Sequence, residues 1–494
     1  MSKGKILLVC FIWLCILGLG IGIWKWIVQP IITPELAQES RYENNLKLAL
    51  DSFSGYAVLR SQEFRSDVSK QRIKVELMDH GPDYLERAKM LENGDIELAV
   101  FTIDALLKTA DELKEKPGVI IAIIDETRGA DAAVAYKKAV PNVDALNHPD
   151  TKFILTPDSP SETLARVVMS HFAMNDIGSK PFVECDGANE VYKKYRSSKP
   201  DVRQVFLLWE PYVTRMLDNP NTHVVIGTES FHGYIVDVVV ANEDWLLKNQ
   251  DVAAEVIKCY LRSLHAHRGS MVKLVMADAK ELGEPLTTKQ AERLVQGLRW
   301  KNTTENYAHI GLEQLPLQHL EDMIENIANV LVKTGDISKD HPYAGKPQEL
   351  YYDGILKRLN DEDFHPGVQK EAAADTGELG ALTDSEWDSL TPVGTMEIPK
   401  LVFPRGTNML TEQSQKSLDQ LIEKLKTLRY YVLVRGNASR EGDLEANKAL
   451  AQQRAKAAEK YLIQNGISAV RVRAIGVEPS GSTSVSFVLG SPSY

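Results

Sequence analysis

Few residues in this chain are placed to do covalent chemistry. His171, His223 and His232 are scattered, and His265 and His267 lie two apart on the helix-like stretch Val252–His267, so they point to different faces. No CxxC, HExxH, phosphate loop or nucleophile elbow occurs. Neither catalysis, a metal site nor a cofactor is expected. Binding chemistry is better represented. In TPDSPSET, Ser159 suits an N-cap, Pro160 the first helical position, and Glu162 the far corner of a capping box. A helix start of this kind offers backbone N–H groups to an anionic or polar ligand group. Glu126 and Asp131 follow a long apolar run. They read either as solvated loop charges or, if several acids line a cleft, as partners for a cationic group.

The elements around these residues alternate. Leu46, Leu48 and Leu50, then Ile73, Val75 and Leu77, then Ile96, Leu98 and Val100 recur at every second position, as in half-buried strands. Stretches of helical spacing such as Tyr84–Leu91 lie between them, and Val119–Ile124 is continuous enough for a strand buried on both faces. The fold class expected is α/β, built from βαβ units. A similar order recurs near the far end. Tyr430–Val434 reads as a strand, and Ala449–Gln464 as a helix carrying Leu450, Ala451, Arg454, Ala458, Tyr461 and Leu462 at three- and four-residue spacing. Gly466 closes that helix, and Val470–Ile475 reads as a further strand.

The stretch GNASREGDLEANKALAQQRA, with Gly436, Gly442, Asn447, Leu450, Arg454 and Ala455 at these spacings, resembles the OmpA-like peptidoglycan-binding domain. The resemblance runs from about Lys400 to Leu489, through LVFPRGTNMLTEQSQKSLDQLIEKL and RAIGVEPSGSTSVSFVL. It implies a clamp for diaminopimelate, in which an Asp three positions after the strand-ending Gly takes the ammonium. An Arg fifteen residues later takes the carboxylate. Arg454 stands at the Arg position, but Ser439 replaces the Asp, and Asn437-Ala438 replaces the usual His-Thr. Ser439, Asn447 and Arg454 are therefore the expected peptidoglycan-binding residues. Glu441 or Asp443 could compensate for the missing carboxylate, or the domain could dock a protein instead.

From about Asn45 to Pro366 the chain resembles periplasmic substrate-binding proteins of the nitrate/sulfonate/thiamine-precursor type. The resemblance rests on FSGYAVLRSQEF, GDIELAVFTID (Glu97 standing where the family more often has Asp), IIAIIDETRGADAAVA, FILTPDSPSETLARVVMSHF, LLWEPYVTRML and VVIGTESFHGYIVDVVVANEDWL. It implies a bilobal, type-II binding-protein fold. Tyr56, Thr102, Asp104, Thr127, Asp131, Ser159, Trp209, Glu210 and Phe231 would lie at strand ends facing the cleft. Trp209 and Glu210 could equally pack a corner, and the cleft could have become a protein-contact surface. Synthases of a thiamine precursor share this fold, but their cysteine- and histidine-dependent chemistry has no counterpart here.

Ile6–Trp24 carries no charge and is long enough to cross a bilayer core of ~30 Å at ~1.5 Å per residue. No small-x-small cleavage site follows it, and Lys3 and Lys5 favour a cytoplasmic start. Residues 1–28 are thus read as an inner-membrane signal anchor and 29–44 as a stalk. Residues 45–370 are read as the bilobal domain, 371–395 as an acidic linker and 396–494 as the OmpA-like domain. The formal net charge of -11 disfavours nucleic acid as a partner. Cys185 and Cys259 read more readily as unpaired core residues than as a disulfide. The expected protein is non-enzymatic and membrane-anchored. It takes a small ligand in its cleft and tethers to peptidoglycan, for sensing or scaffolding in an envelope complex with a possible membrane-protein partner. The alternative is a stator-like structural component whose bilobal domain has no ligand.

Overall fold

The computed structural model describes residues 42–492 apart from 82, 369, 373–378, 438 and 477–483. The expected anchor and most of the stalk lie outside the described residues. Among the described residues no helix is long and apolar enough to cross a membrane.

Three sheets organise the chain. The first contains β1 (Asn44–Leu50), β2 (Ile73–Asp79), β3 (Leu98–Thr102), β4 (Val119–Thr127), β10 (Val236–Ala241) and β11 (Leu298–Trp300), in the order β11-β4-β10-β3-β1-β2. The second contains β5 (Asp131–Tyr136), β6 (Lys152–Leu155), β7 (Phe182–Glu184), β8 (Gln204–Trp209) and β9 (Thr222–Gly227), in the order β7-β6-β8-β5-β9. β1 runs parallel to β2 and β3, and β6 parallel to β7 and β8, as crossover helices require. β3, β4, β5 and β10 are buried at every position, which explains their largely apolar sequence and leaves Asp125, Glu126, Asp131 and Asp237 as buried acids within them.

The chain passes between these sheets twice, from β4 into β5 and from β9 into β10. The sheets therefore form two lobes joined by two crossing segments. Cys185 lies in the second lobe and Cys259 on the Gln250–His267 helix of the first, and both are free and buried.

The third sheet has the order β12-β15-β13-β14, from β12 (Thr391–Thr395), β13 (Tyr431–Asn437), β14 (Val472–Gly476) and β15 (Ser484–Ser491). The Glu412–Lys426 and Leu444–Gln464 helices pack on one face, and Trp387 and Leu390 cover Tyr431, Leu433 and Val488 on the other. The second helix begins at Leu444, five residues before its expected start at Ala449, because the Asp443 carboxylate caps it by accepting from the Glu445 and Ala446 N–H groups. Gly436 is required where β13 passes this helix: a Cβ there would lie 2.1 Å from the Ala451 carbonyl oxygen. Gly466 follows the helix with φ +103°, the left-handed closure expected of it.

The stretch expected to be a linker is built in part into the fold. Glu371 is buried and bonded to His265, Asp384–Asp388 is helical, and β12 is an edge strand of the third sheet. This segment also fastens the third sheet to the second lobe. Ala173 N–H donates to Thr395 O at 3.2 Å, and Glu397 N–H to His171 O at 2.8 Å. At a second seam His232 N–H donates to Thr427 O at 2.8 Å, and Arg429 N–H to Ser230 O at 3.1 Å. Phe172, Phe231 and Tyr234 share one apolar core with Leu418, Leu421, Leu425 and Leu428.

Candidate functional site

The junction of the two lobes is built from the first-turn residues of two helices. Ile103–Leu113 begins at the end of β3, and Pro160–His171 begins after β6. Asp104 on the first accepts a hydrogen bond from Thr163 Oγ1 on the second at 2.5 Å. Asp131, at the start of β5, accepts from Ser161 Oγ at 3.3 Å. Further along the same helices, Lys108 Nζ lies 2.6 Å from Asp158, 3.2 Å from Glu162 and 3.2 Å from Asp336. Arg166 completes the network at 2.5 Å from Glu162 and 2.6 Å from Asp336.

This network overrides the expected capping box. Ser159 Oγ donates back to Thr156 O at 2.7 Å, and no side chain caps the Pro160–His171 helix. Glu162 instead accepts the Asp158 N–H at 2.8 Å while holding Lys108 and Arg166. A carboxylate with two cations in reach gains more from charge-assisted bonds than from one neutral N–H. Burial would lower the Lys108 ammonium, but Glu162 and Asp336 outweigh it and hold it above its ordinary value. Burial likewise opposes the ionised form of Glu162, yet Lys108 and Arg166 keep it low.

The first lobe contributes acids from its strand ends. Asp237 on β10 stands opposite Asp125 on β4 and Thr102 on β3, and accepts from the Tyr56 hydroxyl. Burial, then the neighbouring Asp125 charge, pushes the Asp237 carboxyl upward, and burial raises Asp125 to about 7. Asp131 is also raised to about 7 by burial, against its Ser161 bond and with Asp104 and Glu210 adding to the shift. Asp104 is raised by burial, although Thr163 and Lys108 oppose this. Glu126 behaves differently: Lys301 at 2.6 Å and Arg128 at 3.0 Å keep it ionised despite burial.

The residues expected at the cleft thus separate into groups. Tyr56 meets Asp237, and Asp104 meets the helix that Ser159 precedes and whose Ser161 holds Asp131. Thr102 is buried at the start of the Ile103–Leu113 helix, and Thr127 N–H donates to Ile235 O between the two crossing segments. Trp209 pairs with Asp131 across β5 and β8. Glu210 accepts from Thr214 and from Arg293 Nε at 3.0 Å. Phe231 stands apart: its ring packs on His171 and Tyr234, and its backbone pairs with Leu428. Asp125, Asp237, Lys108 and Arg166 were not expected. A lone Asp inside the apolar YIVDVVVA is the signal that could have found Asp237.

In the third sheet's domain, Arg454 is buried and its Nε donates to Thr407 O at 2.9 Å. Its guanidinium carbon lies 4.9 Å from the Phe403 ring centroid, and burial lowers its basicity. Asn447 is seven residues earlier on the same helix, hence on a similar face. Its Nδ2 donates to the Ser439 carbonyl at 3.3 Å and to the Glu441 carbonyl at 2.7 Å, pinning the loop after β13. Ser439 Oγ accepts the Glu441 N–H at 3.0 Å. Asp443 caps the helix through its Oδ1, which accepts the Glu445 and Ala446 N–H groups.

Comparison with known proteins bears on both regions. Residues 402–483 match the OmpA family. A segment of 97 residues is 29% identical to a peptidoglycan-associated lipoprotein of Pseudomonas putida, covering 19% of this chain and 58% of that relative. Among solved structures, a periplasmic sulfonate-binding protein from Methylobacillus flagellatus superposes with a TM-score of 0.50 at 12% identity, over 68% of this chain and 99% of its own. The periplasmic aliphatic sulphonate-binding protein of Escherichia coli gives 0.47 at 12% identity, over 64% and 99%. The chain therefore joins an OmpA-type domain to an α/β region with the fold of a periplasmic solute-binding protein.

Proposed function

We propose that this is an inner-membrane-anchored envelope protein that binds a small ligand between its two lobes and holds peptidoglycan through its OmpA-type domain. The wall-binding half of the reading is supported by the OmpA match and by the peptidoglycan-associated relative. The observation that carries it is Arg454. One hydrogen bond and one aromatic ring fix its guanidinium, and its two terminal nitrogens have no hydrogen-bond partner among the described residues. A planar cation held that way suits a carboxylate, the group that diaminopimelate presents. Co-sedimentation of the chain with diaminopimelate-type peptidoglycan tests this, with Arg454→Lys as the control.

The ligand-binding half rests on the binding-protein fold and on buried acids at the lobe junction. Its mechanism is hinge closure. The OmpA-type domain is bonded to Ser230 and His232, on the crossing segment between β9 and β10, so a hinge motion would move the wall-binding domain with it. Such coupling suits a sensor or scaffold better than a freely diffusing carrier.

A second, stator-like reading has its own support. Asp104 with Thr163, and Lys108 with Glu162 and Asp158, bond the lobes directly through the protein's own side chains. In that reading the bilobal region is a rigid spacer. Thermal stabilisation of the full chain by added small molecules separates the two, since a spacer gains none.

A further inference from the structure

Four carboxyls at the lobe junction lack a countercharge. Asp104 is 3% exposed, Asp125 0%, Asp131 4% and Asp237 2%. None of the four forms an ion pair within 4.0 Å among the described residues. Lys108, whose charge reaches Asp104, is held instead by Asp158, Glu162 and Asp336. Lys301 near Asp125 is bonded to Glu126. Burying unpaired carboxyls is costly, and the cost is relieved by a proton or by a cation brought from outside.

Open valences point the same way. Asp104 gives one oxygen to Thr163, while its Oδ1 has no hydrogen-bond partner. Thr102 Oγ1 is close enough to favour the ionised form of Asp104, yet makes no bond of hydrogen-bond geometry and is itself unpartnered. Asp125 has no N–H or O–H donor of hydrogen-bond geometry, and its carboxyl faces that of Asp237, a pair that one shared proton would join. The four acids belong to one region. Asp131 is influenced by Asp104, and the buried Tyr84 phenol by Asp51, Asp237 and Asp104. No group of three or more acidic, histidine or cysteine side chains among the described residues is gathered closely enough to hold a metal ion. A compact metal ion therefore finds no ready ligand set among these acids.

The same geometry disfavours an anion. The first turn of the Pro160–His171 helix offers Ser161 and Thr163 hydroxyls, and both are turned onto the protein's own Asp131 and Asp104. An anionic ligand would have to displace these carboxyls in a region that also holds Asp125 and Asp237.

We infer that the cleft takes a small organic cation, an ammonium or amidinium compound, held between Asp104 and Asp131. This rests on the proposed ligand-binding role of the cleft and names the ligand class. Groups raised to about 7, as Asp125 and Asp131 are, then release protons as the cation enters.

The test is calorimetric titration of the full-length chain in detergent with agmatine and choline, beside ethanesulfonate and nitrate. Asp104→Asn and Asp131→Asn are measured in parallel, and each keeps a hydrogen-bonding group of the same size. The expected result is binding of at least one cation and neither anion, weakened about tenfold or more in each variant. Anion binding without cation binding overturns the inference and leaves the ligand-binding role standing. Cation binding undiminished in both variants also overturns it, because the cation is then held elsewhere. Binding of none of the four removes the inference together with the small-ligand role.

Discussion

Thr427 of the OmpA-type domain accepts the backbone N–H of His232 at 2.8 Å, on the segment that leads from one lobe to the other. The Thr427 hydroxyl lies 3.3 Å from that of Tyr234, which in turn meets His171 Nε2 at 2.9 Å. His171 Nδ1 bonds the Val167 carbonyl at 2.9 Å, and burial takes its basicity down to about 3, so the ring is neutral and Nε2 accepts from Tyr234. Backbone, hydroxyl and ring together join two domains that the sequence separates.

The joint predicts cooperative melting. The bilobal region and the OmpA-type domain should unfold in one calorimetric transition. Phe231→Ala removes a buried ring from the seam, at a cost of about 3–5 kcal/mol, and should split the transition into two. Two transitions in the unaltered chain would show the seam to be weak.

The lobe latch predicts a second effect. Lys108→Met leaves Glu162, Asp158 and Asp336 facing one another with Arg166 as their main counterion. Removing one partner of a largely buried network costs roughly 3 kcal/mol. The variant should melt lower and give a larger radius of gyration in small-angle scattering. An unchanged radius with a lowered melting temperature would mean that the network stabilises without closing the lobes.

Much of the fold was legible in the sequence because single-element signals agreed with the tertiary context. The alternation at Leu46, Leu48 and Leu50 and the unbroken Val119–Ile124 run are local patterns, and they became β1 and β4. Gly436 was legible as a strand-ending position, but its reason, the approach of the Ala451 carbonyl, is tertiary. The capping box at Ser159 failed because Lys108 arrives from another lobe to claim Glu162, and no local rule contains that residue. The linker reading of 371–395 missed the structured part of that stretch for a similar reason. Its acidic, small composition hides Trp387 and Leu390, which cover the third sheet, and β12, which pairs with the distant β15. Phe231 read as a cleft residue because the segment that carries it crosses between lobes; its ring instead packs on His171 and Tyr234, and its backbone pairs with Leu428 of the docked domain.

The buried acids set a pH dependence. Asp131 is raised to about 7 in the folded chain, against an ordinary value near ~3.9 in the unfolded one. The folded state therefore binds more protons between these values, and stability falls as pH rises through that window. Asp131→Asn removes this contribution. The variant should gain melting temperature relative to the unaltered chain as pH goes from 4 to 7, with no further gain above 7. A constant difference across that range would mean that Asp131 is ionised in the folded state.

We propose that the OmpA-type domain holds the wall through Arg454 despite Ser439. Losing a charged hydrogen bond is worth about 1.5–3 kcal/mol, or roughly ten- to a hundredfold in affinity. Co-sedimentation of the full-length chain with diaminopimelate-type peptidoglycan measures this directly. The chain should be retained, Arg454→Lys should reduce retention at least tenfold, and Ser439→Asp should strengthen it by a comparable factor. Retention no greater than that of an unrelated protein, in both the unaltered chain and Ser439→Asp, would contradict it.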